Sequence, residues 1–393
     1  MEMRAKPSFV LATAAIFALG LVCSVPAGLA QETSFSYKLL NQADGSFSYT
    51  LNIVVPQSLN DYYQGLNHRS ASDVDFPKFV TPHAVKPIAD TLRQIYTDDE
   101  DFTNGILTLV HQIPYDATVQ EFYPAETLAR NVGDCDMFSL LAASVMKAGG
   151  LHVVLLHYTD EEHMNIGVHL DNDLRDARSG IFSVEDGGVK YYVAECTSSS
   201  WKEGWRVGEC PSDLQDAKMT VITLEGSEEM SPGQVSASFK KLEATSLEFD
   251  VSPSFAAEGS SITVKGQINP AVPNENVTIY LSTDGAQWTV LNSTMTQSNG
   301  LFTFVWKANT FGALSLRASW TGNDLYAGTT SNAKNTLILP FYLLLLIVLA
   351  MVLIAVSVAA FFLSRNRRKQ ALSESVPKNA NAVENPPVQR AMY

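Results

Sequence analysis

A chain of 393 residues, 46% of them hydrophobic, has material for two or three domains with sizeable cores. Its formal net charge of −14, with no basic patch outside the termini, excludes nucleic acid as a partner and suits an ectodomain facing an ionic exterior. The first thirty residues read as a signal peptide (1–30). Arg4 and Lys6 supply the positive start, Phe9 to Val25 the apolar stretch, and Ala27-Gly-Leu-Ala30 the small residues of a cleavage site. The apolar stretch is short for an uncleaved span.

Residues 31–80 read as an N-terminal β-hairpin extension. Strand-like runs at 35–40 and 47–55 flank a turn at Ala43-Asp44-Gly45, and Pro56 ends the second. Residues 57–80 are polar and irregular, anchored by Tyr62, Tyr63, Phe76 and Phe79. Thr81-Pro82 then opens a helix whose apolar face is Val85, Ile88, Ala89, Leu92 and Ile95. A second helix carries Phe102, Ile106, Leu107, Leu109 and Val110. The acidic run Asp98–Asp101 before it complements the helix dipole more simply than it makes a metal loop. Ile113-Pro-Tyr-Asp116 breaks that helix.

The stretch from Tyr123 to Gly150 organises the rest. Gly133 and Asp134 end a loop, Asp134 is placed to cap the next helix, and Cys135 falls in its first turn. Phe138, Leu140, Leu141, Val145 and Met146 recur at helical spacing, and Gly149-Gly150 stops the helix. A thiol at the positive end of a helix is favoured as thiolate, the form that attacks carbonyls. A small buried structural cysteine fits the same position, although Asp134 and Asp136 argue against a dry apolar site.

Strand-like runs follow at 151–158, 163–170 and 189–195, which makes this part an α+β domain with a helix packed on an antiparallel sheet. A nucleophilic cysteine needs a base, and the base needs a polar group to orient its ring. His163 begins one strand and Glu195 ends another, so antiparallel neighbours bring them to one sheet edge, over which the Cys135 end of the helix can pack. His111, His152, His157 and His169 are rival bases, and Asp171, Asp173 and Asp176 rival acids. Beyond the signal peptide three cysteines remain, so at least one thiol is free. Cys196 and Cys210 are the expected disulfide, closing a short loop that contains Trp201 and Trp205. The spacing of Asp171, Asp173 and Asp176 lacks the pattern of a calcium loop. No metal and no cofactor is expected.

The run Tyr123-Pro-x-Glu-Thr-Leu through Gly133-Asp-Cys135-Asp, the His163 strand and Tyr191-Tyr-Val-Ala-Glu195-Cys-Thr197 resemble the transglutaminase-like superfamily over residues 81–225. That resemblance implies a papain-like transglutaminase core and a Cys-His-acid triad at Cys135, His163 and Glu195. Glu195 stands where the family has aspartate, and Met164 where it has an aromatic. Gln112 is a possible oxyanion donor alongside the backbone N–H of Cys135. Residues 226–243 are rich in Ser, Glu, Gly and Lys and read as a linker.

From 244 to 335, short strand-like runs separated by Asp284-Gly, Ser298-Asn-Gly300 and Thr321-Gly-Asn-Asp324 read as an all-β sandwich without cysteines. Gly259-Ser-Ser-Ile-Thr-Val-Lys-Gly and Ser319-Trp-Thr-Gly-Asn-Asp-Leu-Tyr-Ala-Gly resemble bacterial and archaeal Ig-like surface domains, which implies a spacer. Asn276 and Asn292 head glycosylation sequons. Residues 337–363 are long and apolar enough for one transmembrane helix. Arg365, Arg367, Arg368 and Lys369 open a polar tail (364–393) on the cytoplasmic side.

The resulting expectation is a single-pass, outward-facing cysteine hydrolase that cleaves amide bonds of a peptide or protein substrate, or of a cell-envelope polymer, through a thioester. The alternatives are a non-catalytic surface binding or adhesion protein, and a transamidase that crosslinks surface proteins.

Overall fold

Residues 33–117, 122–178 and 180–374 are described here by a computed structural model. The expected signal peptide and the tail beyond 374 lie outside the described residues. The fold is mixed α and β, and the chain divides into two compact units. The first comprises Met1–Asp250, Val264–Phe304 and Ser315–Lys334; the second comprises Val251–Thr263, Val305–Leu314 and Asn335–Tyr393.

The first unit opens with the expected hairpin. Strands β1 (Thr33–Leu40) and β2 (Phe47–Val55) pair antiparallel with Tyr37 opposite Leu51, and Gly45 takes φ +68° in the turn, a conformation glycine adopts without cost. Residues 57–80 are not irregular. They form helix α1 (Gln57–Gln64) and a 3₁₀ helix at Asp73–Phe79. Helix α2 (Pro82–Arg93) and helix α3 (Asp99–Val110) follow as the periodicity indicates, and Asp98 caps α3 by accepting from the backbone of Glu100 and Asp101. Helix α4 (Pro124–Arg130) then leads to helix α5 (Cys135–Ala148).

Five strands form the main sheet: β3 (His152–Tyr158), β4 (His163–His169), β5 (Ser183–Asp186), β6 (Val189–Ala194) and β7 (Thr220–Thr223). Their order is β5-β6-β4-β3-β7, with antiparallel pairing throughout. Helix α5 packs on β3 and β4, with α2, α3 and α4 against it. Alternation along the strands divides the core. Val153, Leu155, Tyr192 and Ala194 face the helices, whereas Val154, Leu156, Tyr158, Tyr191 and Val193 build a second cluster on the opposite face.

The segment 226–243 is not a free linker. Val235 is fully buried and its N–H donates to Ala84 O, while strand β8 (Ser236–Ser238) pairs with β2. Six strands fall on the expected runs, β9 (Ser246–Ser252), β11 (Ser261–Asn269), β12 (Asn276–Ser282), β13 (Thr289–Met295), β14 (Leu301–Lys307) and β15 (Gly312–Gly322), whereas β10 (Phe255–Ala257), β16 (Ala327–Thr330) and β17 (Lys334–Leu339) were not expected. Within the first unit β12 pairs with β13 and with β15, and β15 with β16. Tyr280 and Trp288 join the same buried core as the helices. Arg317 donates to Ser58 O at 3.0 Å, with its guanidinium 5.2 Å from the Tyr62 ring and 5.6 Å from the Trp288 ring. Asn276 and Asn292 are exposed on β12 and β13.

In the second unit β10 runs parallel to β17, with Ala256 opposite Ile338. Pro340 separates β17 from helix α6 (Phe341–Glu374). Residues 337–339, expected within the membrane span, thus belong to a strand. Phe341–Arg368 is the one described helix long and apolar enough to cross a membrane. Its 28 residues extend about 42 Å at the α-helical rise.

Candidate active site

The loop before α5 is pinned before the helix begins. Asp116 donates its N–H to Gly133 O at 2.9 Å, and Gly133 donates to Pro114 O at 3.3 Å. Gly133 is required by close approach, because an added Cβ would lie 3.0 Å from both the Phe138 ring and Met137 Cβ. Asp134 has extended backbone and its side chain accepts from Met137 N at 3.3 Å, which leaves Cys135 as the first residue of the helix. Cys135 is 7% exposed, and its thiol sits 3.6 Å from Asp136 Oδ1 and 3.8 Å from Glu162 O. Glu162 adopts left-handed backbone (φ +51°) in the β3–β4 turn. This strained turn sets the start of β4, and so His163, beside the thiol. Ser139 Oγ locks the two elements together by donating to Met164 O at 2.9 Å.

His163 Nε2 donates to Glu195 Oε2 at 2.9 Å. Burial alone would lower the imidazolium, but hydrogen bonds to Cys135 and Glu195 and the charges of both outweigh it and raise the group to about 10. Glu195 is fully buried. It also accepts from Asn165 Nδ2 at 3.3 Å, Thr197 N at 2.7 Å and Thr197 Oγ1 at 2.6 Å. Burial pushes its carboxyl up; the hydrogen bonds and charge of His163, with the bonds from Thr197, bring it below the usual value. The site is thus a thiol at a helix N-terminus, an imidazole held protonated, and a carboxylate satisfied by four donors. Asn165 was not singled out in the sequence; its signal is the two-residue spacing from His163, which puts both on one strand face.

The rival groups are engaged elsewhere. His157 Nδ1 pairs with Asp73 at 2.7 Å, His169 Nδ1 donates to Lys190 O at 3.0 Å, and His152 Nε2 lies 3.4 Å from the Tyr191 hydroxyl. Asp171 meets His169, Asp173 accepts from Tyr192, and Asp176 pairs with Arg206. His111 is the exception. It is buried in the wall of the site, where its Nε2–H donates to Glu195 O at 3.0 Å. Burial lowers its pKa further than the Glu195 hydrogen bond and charge raise it, so it is neutral.

Two expectations are corrected. Gln112 is not an oxyanion donor: its amide accepts from Lys38 N and donates to Lys38 O, each at 2.8 Å, which splices the end of α3 onto β1. Cys196 and Cys210 do not form a disulfide; both are free buried thiols. Cys196 packs in the core beneath the helices and Cys210 in the cluster on the other face of the sheet. The sheet itself stands between them. Burial raises both thiols, Cys196 well above its ordinary value and Cys210 to about 11.

A cavity of about 550 Å³ opens beside the dyad, with His163, Glu195, His111, Phe138 and Trp205 in its wall. Trp205 is half-buried there; Trp201, equally half-buried, carries Lys202 over its ring at 5.5 Å.

No protein-family profile matches the chain, and no curated protein matches it. Three solved structures match small parts of it. A chitin binding domain from Burkholderia pseudomallei is 12% identical over 22% of this chain and 56% of its own, with a TM-score of 0.19. An engineered protein is 15% identical over 24% and 20%, with a TM-score of 0.18. A sporulation control protein from Bacillus subtilis is 6% identical over 25% and 50%, again at 0.18. The chain thus spans between 20% and 56% of the length of these three, and likenesses of this size carry no argument about fold or function.

Proposed function

We propose that the protein is a transglutaminase-like cysteine hydrolase of amide bonds, held at the cell surface by α6 with its N-terminal part outside. The observation that carries this reading is the Cys135–His163–Glu195 arrangement. A buried carboxylate is held ionised by four donors against a histidine whose other nitrogen is left for the thiol. A structural cysteine needs none of this. The membrane part rests on the length and composition of α6 and on Arg365, Arg367 and Arg368 at its far end.

In the proposed reaction Cys135 Sγ, its proton passed to His163 Nδ1, attacks the amide carbonyl. The backbone N–H of Cys135, at the start of α5, faces the developing oxyanion. His163 returns the proton to the departing amine, and the C–N bond breaks to leave a thioester. Water, deprotonated by His163, then cleaves the thioester to acid and free thiol. Glu195 stabilises the imidazolium in both halves and fixes Nδ1 toward sulfur.

The test uses the full chain in detergent. Iodoacetamide should modify Cys135 rapidly at mildly acidic pH, and His163→Ala should abolish that advantage. Peptide amides should release free amine, with an acyl adduct on Cys135 after acid quench. Amide hydrolysis surviving in Cys135→Ala would overturn the proposal. An added primary amine that replaces water in the product identifies a transamidase instead.

A further inference from the structure

The cavity beside the dyad is unevenly lined. Ile113, Tyr115, Phe138, Trp205, Pro211 and Leu214 make its apolar surface. Its charged side chains other than the His163–Glu195 pair are Glu161, from the β3–β4 turn, and Asp213, from the loop before β7. Both are exposed, and among the described residues neither forms an ion pair. No lysine or arginine lines the cavity. Two nearby arginines are committed: Arg178 to Glu209 at 2.7 Å and Arg206 to Asp176 at 3.4 Å. Neutral His111 stands in the wall with Nε2–H spent on Glu195 O, so its Nδ1 is an acceptor. The cavity thus offers apolar surface, an aromatic face and acceptors, and no cation to receive an anionic group.

From this lining we infer that the cavity is a subsite for an arginine side chain of the peptide substrate, adjacent to the amide that Cys135 attacks. The inference rests on the hydrolase reading for its place in a reaction, but not for the binding itself. The apolar stem of arginine covers Ile113 and Leu214. Its planar guanidinium stacks on Trp205 and reaches the carboxylates of Glu161 and Asp213, a geometry the compact ammonium of lysine matches less well. The cavity of about 550 Å³ lies within the roughly 300–1,000 Å³ typical of ligand sites. The arginine belongs to the peptide that donates the acyl group, so it remains part of the substrate throughout and no bond to it forms or breaks.

The test is a binding measurement on the full-length Cys135→Ala chain in detergent, where no chemistry intervenes. Blocked peptides identical except for one arginine, citrulline or glutamate are titrated by calorimetry at low salt. The arginine peptide should bind about tenfold tighter than the citrulline peptide, the size expected of one partly exposed charged contact plus stacking. Glu161→Gln with Asp213→Asn should reduce it to the citrulline level with the melting temperature unchanged, and Trp205→Leu should weaken the arginine and citrulline peptides alike. Equal binding of arginine and citrulline peptides, a preference that survives the double variant, or no binding of any peptide would each overturn the subsite. The hydrolase reading fails separately. Arginine-selective binding without amine release by the wild-type chain leaves the subsite standing and removes the reaction; turnover without arginine preference does the reverse.

Discussion

At the scale of single residues, Glu195 governs the site. Four hydrogen bonds converge on its two oxygens, the one from His163 at 2.9 Å. Glu195→Gln keeps the shape but removes the charge that holds His163 protonated. Turnover should fall by about 10²–10⁴-fold, as for a triad carboxylate replaced by its amide. His163, raised to about 10, should drop toward 6.5, which an NMR titration of labelled histidine reads directly. The pair also leaves a signature in stability. His163 is raised above its unfolded value of 6.5, so its contribution is complete below that pH and is lost as pH rises toward about 10. Glu195 is lowered from 4.5, so its contribution is present above that pH and is lost on acidification. The difference in unfolding free energy between wild type and Glu195→Gln should therefore peak between about 4.5 and 6.5 and shrink on both sides; urea denaturation at a series of pH values measures it. Cys135, His163 and Glu195 were legible because a capped helix start and two strand ends carry their own sequence marks. Gln112 was misread because a residue two steps past a helix end has no marked direction. Here it turns to the β1 backbone, and the linear chain does not show which strand lies there.

At the scale of elements, the site depends on how α5 is seated on β4. Ser139 is fully buried and donates to Met164 O, so it fixes the thiol against His163 at the interface itself. Ser139→Ala should destabilise by about 1–2 kcal/mol, the cost of orphaning a buried carbonyl and losing a modest bond. Alkylation of Cys135 should slow beyond what the stability loss explains; stopped-flow alkylation and urea denaturation together separate the effects. At the other end of α5, a Cβ on Gly149 would fall 2.3 Å from the Phe102 ring. Gly149→Ala should cost about 1–3 kcal/mol by overpacking, read as a lower urea midpoint. Strands β1, β2, β3, β4 and β6 and the longer helices were legible from period-2 and period-3.6 patterns, whereas the four-residue edge strands β5 and β7 are too short to show one. Helix α1 was not, because its buried face is Ser58, Leu59, Asn60, Tyr62 and Tyr63, and polar side chains break the apolar stripe. Strand β8 hid in a Ser- and Gly-rich stretch for the same reason: two of its three residues are serines, and its pairing partner β2 is about 180 residues away.

At the scale of the molecule, the first unit joins the helices and sandwich strands in one core, a union no local pattern announces. The joint is Arg317, buried against Tyr62 and Trp288, with Tyr62 OH donating to Ala286 O at 3.1 Å. Burial lowers the guanidinium pKa despite the neighbouring Tyr62 and Asp61. A chain cut after Asp250 should therefore expose Tyr62 and His83, whose rings pack on Trp288 and Tyr280, and melt well below one ending at Pro340. A cut at 336 would sever β17, whose Ile338 is fully buried. Scanning calorimetry on the three truncations ranks them.

The junction at Pro340 also has a mechanical meaning. Only one residue lies between the last residue of β17 and the first of α6, and β17 is held side by side with β10 through Phe255–Leu337, Ala256–Ile338 and Ala257–Leu339. Tension along α6 thus enters the end of a strand without a compliant spring in between. It loads that short parallel ladder lengthwise, so the ladder yields by sliding its hydrogen bonds together and not by unzipping them in turn. Under load, the fastening between helix and strand is a rivet.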